Sequence, residues 1–236
     1  MKYTFLYINT SLYKKYNIGI YRYGYIYDYI YTSNNISKDI LNKINNILKK
    51  NNLEIKDFNT IICIVGPGSF ISTRIGICIS QGLSFGSNIP ILYFSIPEIL
   101  FLHIKKKSNI FYDKIIFIMK SYSNEFIYWS INDYNKKNND YNNIYLSKIN
   151  DFFTYIKNNI DKDKKYFILN YNNKFIYNKI LNKINIVKNI YMLNINLNII
   201  DIFNLTIDKF KKNNTKNYLN NIKLKKYKFL DNFNIL

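Results

Sequence analysis

"VGPGSFISTRIG", residues 65–76, is the stretch on which the interpretation of this chain turns. Two glycines and a proline crowd together ahead of a serine, an aromatic and an arginine, in a sequence otherwise built from Lys, Asn, Ile and Tyr. Among 236 residues there are seven Gly and three Pro, and arginine occurs only as Arg22 and Arg74. Lys, Asn, Ile, Tyr and Phe can all be encoded with A and T alone, so a strongly A/T-biased genome accounts for the composition. Such a bias erodes Gly, Pro, Arg and Ala wherever the fold tolerates their loss. Five of the glycines nevertheless lie between Gly66 and Gly86, and every proline lies between Pro67 and Pro97. Backbone geometry is therefore least negotiable over residues 65–97.

The stretch follows "TIICIV" (60–65), a continuous apolar run of the kind that forms a buried strand, and it opens a helix over about 70–87. Gly66 and Gly68 allow positive φ or close backbone approach, Pro67 fixes φ between them, and Ser69 is a natural helix N-cap. Two interpretations stand at this point. A glycine-rich turn at a helix N-terminus can present N–H groups to an anion, with Arg74 as a clamp one turn further on. The same residues can instead make only a tight corner, and the Gly-Lys-Ser/Thr ending of a phosphate-binding Walker loop is absent. In the helix, Ser72, Gly76 and Ser80 recur every fourth residue as a small-residue ridge beside Ile75, Ile79 and Leu83. An interior glycine costs about 1 kcal/mol against alanine, so the ridge predicts close approach of another helix.

The rest of the chain bounds the alternatives. A net charge of +19 would ordinarily point to nucleic acid or an anionic surface, but Lys is inflated throughout and its runs at 105–107, 162–165, 211–212 and 223–228 are short and scattered. No apolar run reaches the ~18 to 20 residues that span a bilayer, and Met1-Lys2-Tyr3-Thr4-Phe5 carries no leader pattern. Cys63, in a strand, and Cys78, in a helix, read as buried small hydrophobes in a reducing, cytoplasmic compartment. The single histidine, His103, cannot make a metal site alone.

Strands are expected over 3–9, 17–24 and 25–31, the last two a hairpin around Gly24, followed by a helix over 36–50 with Ile40, Ile44 and Ile47 on its apolar stripe. "IPILYF" (89–94) is another strand, with a helix starting near Pro97. The pattern then begins again: strands at 114–120, 125–133 and 142–146, a helix at 147–159, a strand at 165–169, and helix-like segments near 172–182 and 196–212. A duplicated βββαβα unit predicts an α/β fold of two lobes, of the actin-like and sugar-kinase-like ATPase architecture. The expected lobes are residues 1–108 and 109–236.

Residues 65–100 also resemble the signature region of the TsaB family, the smaller paralogues of the TsaD/Kae proteins. That family's pattern runs Gly-Pro-Gly-Ser-Phe-Thr-Gly-Leu-Arg-Ile-Gly, then Gly-Leu-Ala and a Pro-led strand ending in Ser-x-x-Glu-x-Leu. Gly66, Pro67, Gly68, Ser69, Phe70, Arg74, Ile75, Gly76, Gly82, Leu83, Pro90, Ser95, Glu98 and Leu100 match it. The match is specific over about 40 residues and extends in outline over 1–133. It departs at Ile71-Ser72-Thr73, which replaces Thr-Gly-Leu. Asn9 stands where the family and its ATPase relatives carry Asp, and Lys120-Ser121 stands where a second acidic residue is expected. The His-x-x-x-His pair of the catalytic paralogue falls near Ile96 and Leu100.

The resemblance implies a non-catalytic scaffold with no catalytic or metal-binding residues of its own. Its expected partners are a TsaD-like paralogue and a TsaE-like ATPase, with tRNA met through the complex, no membrane contact, and a homodimer when the paralogue is absent. ATP or ADP is implied only at the interface of the complex. The expected docking surface joins Ile40, Ile44 and Ile47 of the 36–50 helix to Ser72, Ile75, Gly76, Ile79, Ser80 and Leu83 of the next helix. The alternatives are a stand-alone basic RNA-binding protein and a degenerate ATPase or glycoprotease-like enzyme.

Overall fold

The computed structural model describes residues 3–12, 14–107, 112–121, 123, 125–134, 144–161, 163–171, 178, 180, 190–195 and 198–212. The first sheet begins as a meander: β1 (Thr4–Asn9), β2 (Lys15–Arg22) and β3 (Tyr25–Thr32) pair antiparallel. β2 and β3 meet in a two-residue turn at Tyr23 and Gly24, both with positive φ, as a tight hairpin requires. Helix α1 (Ile36–Lys50) leads through a short 3-10 turn to β4 (Thr60–Ile64), which lies parallel to β1. Helix α2 (Phe70–Ser87) then returns the chain to β5 (Ile91–Phe94), parallel to β4. The resulting order is β3-β2-β1-β4-β5.

After α3 (Ile96–Lys107) the same topology recurs. β6 (Lys114–Lys120), β7 (Phe126–Asp133) and β8 (Tyr145–Lys148) form an antiparallel meander, and α4 (Ile149–Asn159) follows. β9 (Tyr166–Tyr171) runs parallel to β6, and β10 (Ile190–Ile195) parallel to β9. The second sheet, ordered β10-β9-β6-β7-β8, repeats the first strand for strand. The fold is α/β, two mixed sheets built on one duplicated, actin-like plan. β10 is the element that sequence periodicity did not single out: an edge strand with alternating half-exposure and no Gly or Pro to mark its ends. Of the segment expected to be helical near 172–182, nearly all lies outside the described residues.

Packing around the first sheet explains its sequence. Leu6, Ile8, Ile18, Ile20 and Cys63 share one face, which α1 and α2 cover with Ile36, Ile40, Ile44, Ile47 and Ser80, all buried. On the opposite face Phe5, Tyr7, Gly19 and Tyr21 receive the last described helix, α5 (Ile199–Lys212). Phe203, fully buried, packs edge-on against Tyr7 with centroids 6.2 Å apart and tilted against Tyr21 at 5.5 Å. Ile199 sits so close to Gly19 that a β-carbon there would lie 2.2 Å from its Cδ1. Gly19 thus makes the hollow into which α5 is seated.

The chain accordingly divides differently from the 1–108 and 109–236 expectation. One compact unit is Met1–Ile99 together with the segment from Asn198 that carries α5; the other contains Leu100–Leu197. The physical reason is the aromatic face of the first sheet, which α5 covers. In the second unit, Ile116, Ile118, Ile127, Trp129, Phe152 and Ile156 form the core between the sheet and α4. Phe203→Ala should therefore destabilise the first unit by about 3–5 kcal/mol, the usual cost of emptying a packed aromatic site. Urea unfolding followed by Trp129 fluorescence for the second unit and far-ultraviolet dichroism for the whole chain checks whether the loss is confined to the first.

Candidate functional site

The Gly-rich turn is a joint between β1 and α2. Asn9 ends β1, buried, and its Oδ1 accepts hydrogen bonds from the Ser11 backbone N–H (3.0 Å) and the Ser11 hydroxyl (2.6 Å). This folds Thr10 and Ser11 back towards the turn. Thr10, fully buried, donates from Oγ1 to the Ser72 carbonyl at 2.6 Å. Ser69 donates its backbone N–H to the Ser11 carbonyl at 2.9 Å, and the Gly66 carbonyl accepts from Ile96 N–H at 2.7 Å. The segment is thereby tied to β1 on one side and to the start of α3 on the other.

Each glycine here has a separate reason. Gly66 lies at φ +97°, a left-handed conformation that L side chains rarely adopt. Gly68 has no such φ; a β-carbon there would lie 2.1 Å from the Ser11 carbonyl oxygen. Gly76, one helical stretch later, would put its β-carbon 2.2 Å from Thr10 Oγ1. Thr10 and Ser11 therefore fill the two spaces that Gly68 and Gly76 leave open.

This geometry favours the corner over the anion site. The Ser69 N–H is already engaged by Ser11, and Ser69 occupies the N-cap position without a side-chain cap, its hydroxyl donating instead to Ser72 Oγ at 3.0 Å. Arg74 does not reach back to Gly66–Ser69: its guanidinium lies over the Phe70 ring, 3.7 Å from the centroid, on the exposed side of α2. Asn9 offers a neutral amide at the end of β1. At the corresponding end of β6, Lys120 is followed by Ser121, whose buried hydroxyl has no hydrogen-bond partner among the described residues. Among those residues no group of three or more His, Cys, Asp or Glu is arranged to hold a metal ion.

The surface expected from sequence is split by the structure. Ile40, Ile44 and Ile47 point into the unit's own core, and so do Gly76 and Ser80, the latter with its hydroxyl donating to the Gly76 carbonyl at 2.8 Å. The small-residue ridge faces inward because β1 and β4 come close to α2; Ser80 also lies against Cys63. Ser72, Ile75, Ile79 and Leu83 are all half-buried at its margins, and of the expected residues only Ile75 falls, by its spacing, on the line of the exposed stripe. That stripe runs through Ile71, Ile75, Cys78, Gly82 and Phe85, spaced alternately by four and three residues. Phe85 is 93% exposed and Ile71 70% exposed, while β-carbons at Gly82 and Gly86 would meet none of the described residues within 4 Å. Cys78 is exposed, contrary to its sequence assignment, because it shares this stripe. The Gly82-x-x-x-Gly86 spacing was the available signal, obscured by the more regular Ser72-Gly76-Ser80 series.

A family model described as "TsaD: tRNA N6-adenosine threonylcarbamoyltransferase" matches residues 31–186, well over half of the chain. The tRNA threonylcarbamoyladenosine biosynthesis protein TsaB of Buchnera aphidicola subsp. Baizongia pistaciae is 33% identical over 96 residues, 41% of this chain and 42% of that protein. The protein of the same name from Haemophilus influenzae is 37% identical over 59 residues, 25% of each chain. The matched region thus spans less than half the length of these curated relatives. A crystal structure of an uncharacterized protein from Pseudomonas aeruginosa with similarity to peptidase YeaZ superposes with a TM-score of 0.57 and 14% identity, covering 90% of this chain and 94% of that one. At that identity the likeness is one of fold. The chain belongs to the TsaD family, and the curated relatives it matches are TsaB proteins.

Two measurements check the site. Gly68→Val should cost about 1–3 kcal/mol, through overlap with the Ser11 carbonyl rather than through φ strain; an unchanged melting temperature would contradict the clamp. The thiols should also separate cleanly. Burial pushes the Cys63 thiol up to about 12, with the Ser80 hydroxyl and Cys78 as lesser influences. At a pH of about 8 a disulfide reagent should modify Cys78 promptly and Cys63 only after unfolding.

Proposed function

We propose that this chain is a non-catalytic docking subunit for a TsaD-type paralogue in the threonylcarbamoylation of tRNA adenosine. The observation that carries the proposal is the outward stripe of α2. A nearly fully exposed phenylalanine is flanked by two glycines that packing among the described residues does not require. Monomeric proteins seldom leave such apolar patches uncovered without a use for them. A glycine pair four residues apart allows a partner helix to approach the backbone closely, with Phe85 as a knob beside the contact. Leu41, half-exposed on neighbouring α1, extends the apolar surface.

The uncharged Asn9, locked onto Ser11, supports assigning catalysis to the partner. On this reading the Gly66–Ser69 corner fixes α2 on its sheet, and the chain meets tRNA, a TsaE-type ATPase and any ATP or ADP through the assembled complex. The setting is the cytoplasm; among the described residues no helix is long and apolar enough to cross a membrane.

Affinity purification from the native cell should recover a TsaD-type protein with the wild-type chain. Phe85→Asp should weaken that association by at least about thirtyfold, the scale of a central aromatic anchor, while leaving the melting temperature within about 2 °C because the side chain is exposed. Recovery of the paralogue undiminished by Phe85→Asp would overturn the docking face. Steady ATP hydrolysis by the pure chain, lost on substitution of Asn9, would overturn the non-catalytic assignment.

A further inference from the structure

We infer that the open edge of β3 pairs with β3 of a second copy of this chain, antiparallel and about a two-fold axis, joining two five-stranded sheets into one. β3 ends the sheet order β3-β2-β1-β4-β5. It is eight residues long, pairs with β2 without a bulge, and contains neither Lys nor Pro. Proteins usually blunt an edge with such residues, with a bulge or with a short strand; β5 and β8, edges of four residues each, are short. The tight Tyr23-Gly24 turn makes Arg22 and Tyr25 a hydrogen-bonded pair. The alternation runs on to the Ser33 N–H, which donates to the Lys14 carbonyl at 3.1 Å. Tyr25, Tyr27, Tyr29 and Tyr31 therefore bond β2 through their backbone. Ile26, Asp28, Ile30 and Thr32 direct their N–H and C=O groups to the outer edge, where no described strand pairs with them. Tyr25 is 70% exposed and Ile30 65% exposed on this strand.

The strand is complementary to itself. Tyr25-Ile26-Tyr27-Asp28-Tyr29-Ile30-Tyr31 is the same in both directions, and an antiparallel copy on a two-fold axis presents the same row. Joining outer-edge groups to outer-edge groups pairs even-numbered residues with even-numbered ones. Tyrosines then oppose tyrosines, and both faces of the sheet continue across the axis. Asp28 selects among the symmetric registers. Centred on Asp28, the pairing sets two carboxylates directly opposite each other, which is destabilising. Centred on Tyr29, it keeps 26–32 paired, sets Tyr27 against Tyr31 and places Asp28 opposite Ile30. The incoming carboxylate then enters on the face that carries exposed Lys15, the β2 residue paired with Thr32. This contact is separate from the α2 stripe and does not depend on it.

Self-association and register are tested together. Sedimentation velocity of the full chain over about 1–100 μM, the range suited to a small interface, should show a monomer–dimer equilibrium. Phe85→Asp should leave that equilibrium unchanged. Ile30→Glu, at an exposed position and checked for fold by circular dichroism, sets a glutamate opposite Asp28 twice in each dimer. It should weaken association by at least about tenfold. Asp28→Lys combined with Ile30→Glu turns the same two contacts into opposite-charge pairs and should recover most of that loss. Hydrogen exchange of the wild type, resolved by residue, gives an independent signature. The amides of Ile26, Asp28, Ile30 and Thr32 should gain protection of at least about tenfold from the lowest to the highest concentration, while those of Tyr27, Tyr29 and Tyr31 stay protected throughout. The inference is overturned if the chain remains monomeric across the range, or if Phe85→Asp abolishes the dimer while Ile30→Glu spares it. It is equally overturned if the charge swap fails to restore what Ile30→Glu removes, or if the outer amides are protected alike at every concentration.

Discussion

Thr10 and Ser11 are held between the end of one strand and the start of one helix, and the first unit is organised around that clamp. Asn9 turns the chain, Thr10 bonds the Ser72 carbonyl, and the Ser11 carbonyl takes the Ser69 N–H. Gly68 and Gly76 are glycines because Ser11 and Thr10 occupy the volumes their side chains would need. Once this contact is made, the orientation of α2 is fixed. Ser80 falls against Cys63, and the opposite side of the helix, with Phe85 and Gly82, is turned to solvent.

The joint has the shape of a phosphate-binding turn. A strand, a sharp reversal and a glycine-rich helix entry are what a nucleotide-binding unit uses to bring backbone amides to an anion. Here the amide of Ser69 and the side chain of Asn9 are both satisfied within the protein. As it stands the arrangement is a structural corner, with these groups engaged inside the protein.

Much of the first unit could be read in the sequence, since glycine and proline are scarce enough for their survival to mark geometry. The spans of α1 and α2 follow from periodicity and from the Gly24 and Gly66–Ser69 turns. What periodicity could not supply was which side of α2 faces in. Ser72-Gly76-Ser80 and Ile71-Ile75-Cys78-Gly82 are both regular, and only the proximity of Thr10 shows that the first is the buried one. The rest was harder to read: the edge strand β10 of the second unit lacks turn residues, and α5 of the first unit lies far in sequence from the Tyr7–Gly19–Tyr21 hollow it fills. A helix that crosses back to the first sheet leaves no local signal, because the residue that admits it, Gly19, sits 180 positions before Ile199.

The central claim is that the glycines of α2 serve two different neighbours, Gly76 the protein's own β1 end and Gly82 something outside the chain. Thermal and urea unfolding of the isolated chain carrying Gly76→Ala or Gly82→Ala tests this most directly. The account predicts opposite signs. Gly76→Ala should lose about 1–3 kcal/mol to overlap with Thr10, while Gly82→Ala, whose methyl group meets none of the described residues, should gain up to about 1 kcal/mol from helix propensity. If Gly82→Ala instead destabilises the isolated chain as much as Gly76→Ala, Gly82 is required by the fold and the case for an external partner at that position is lost.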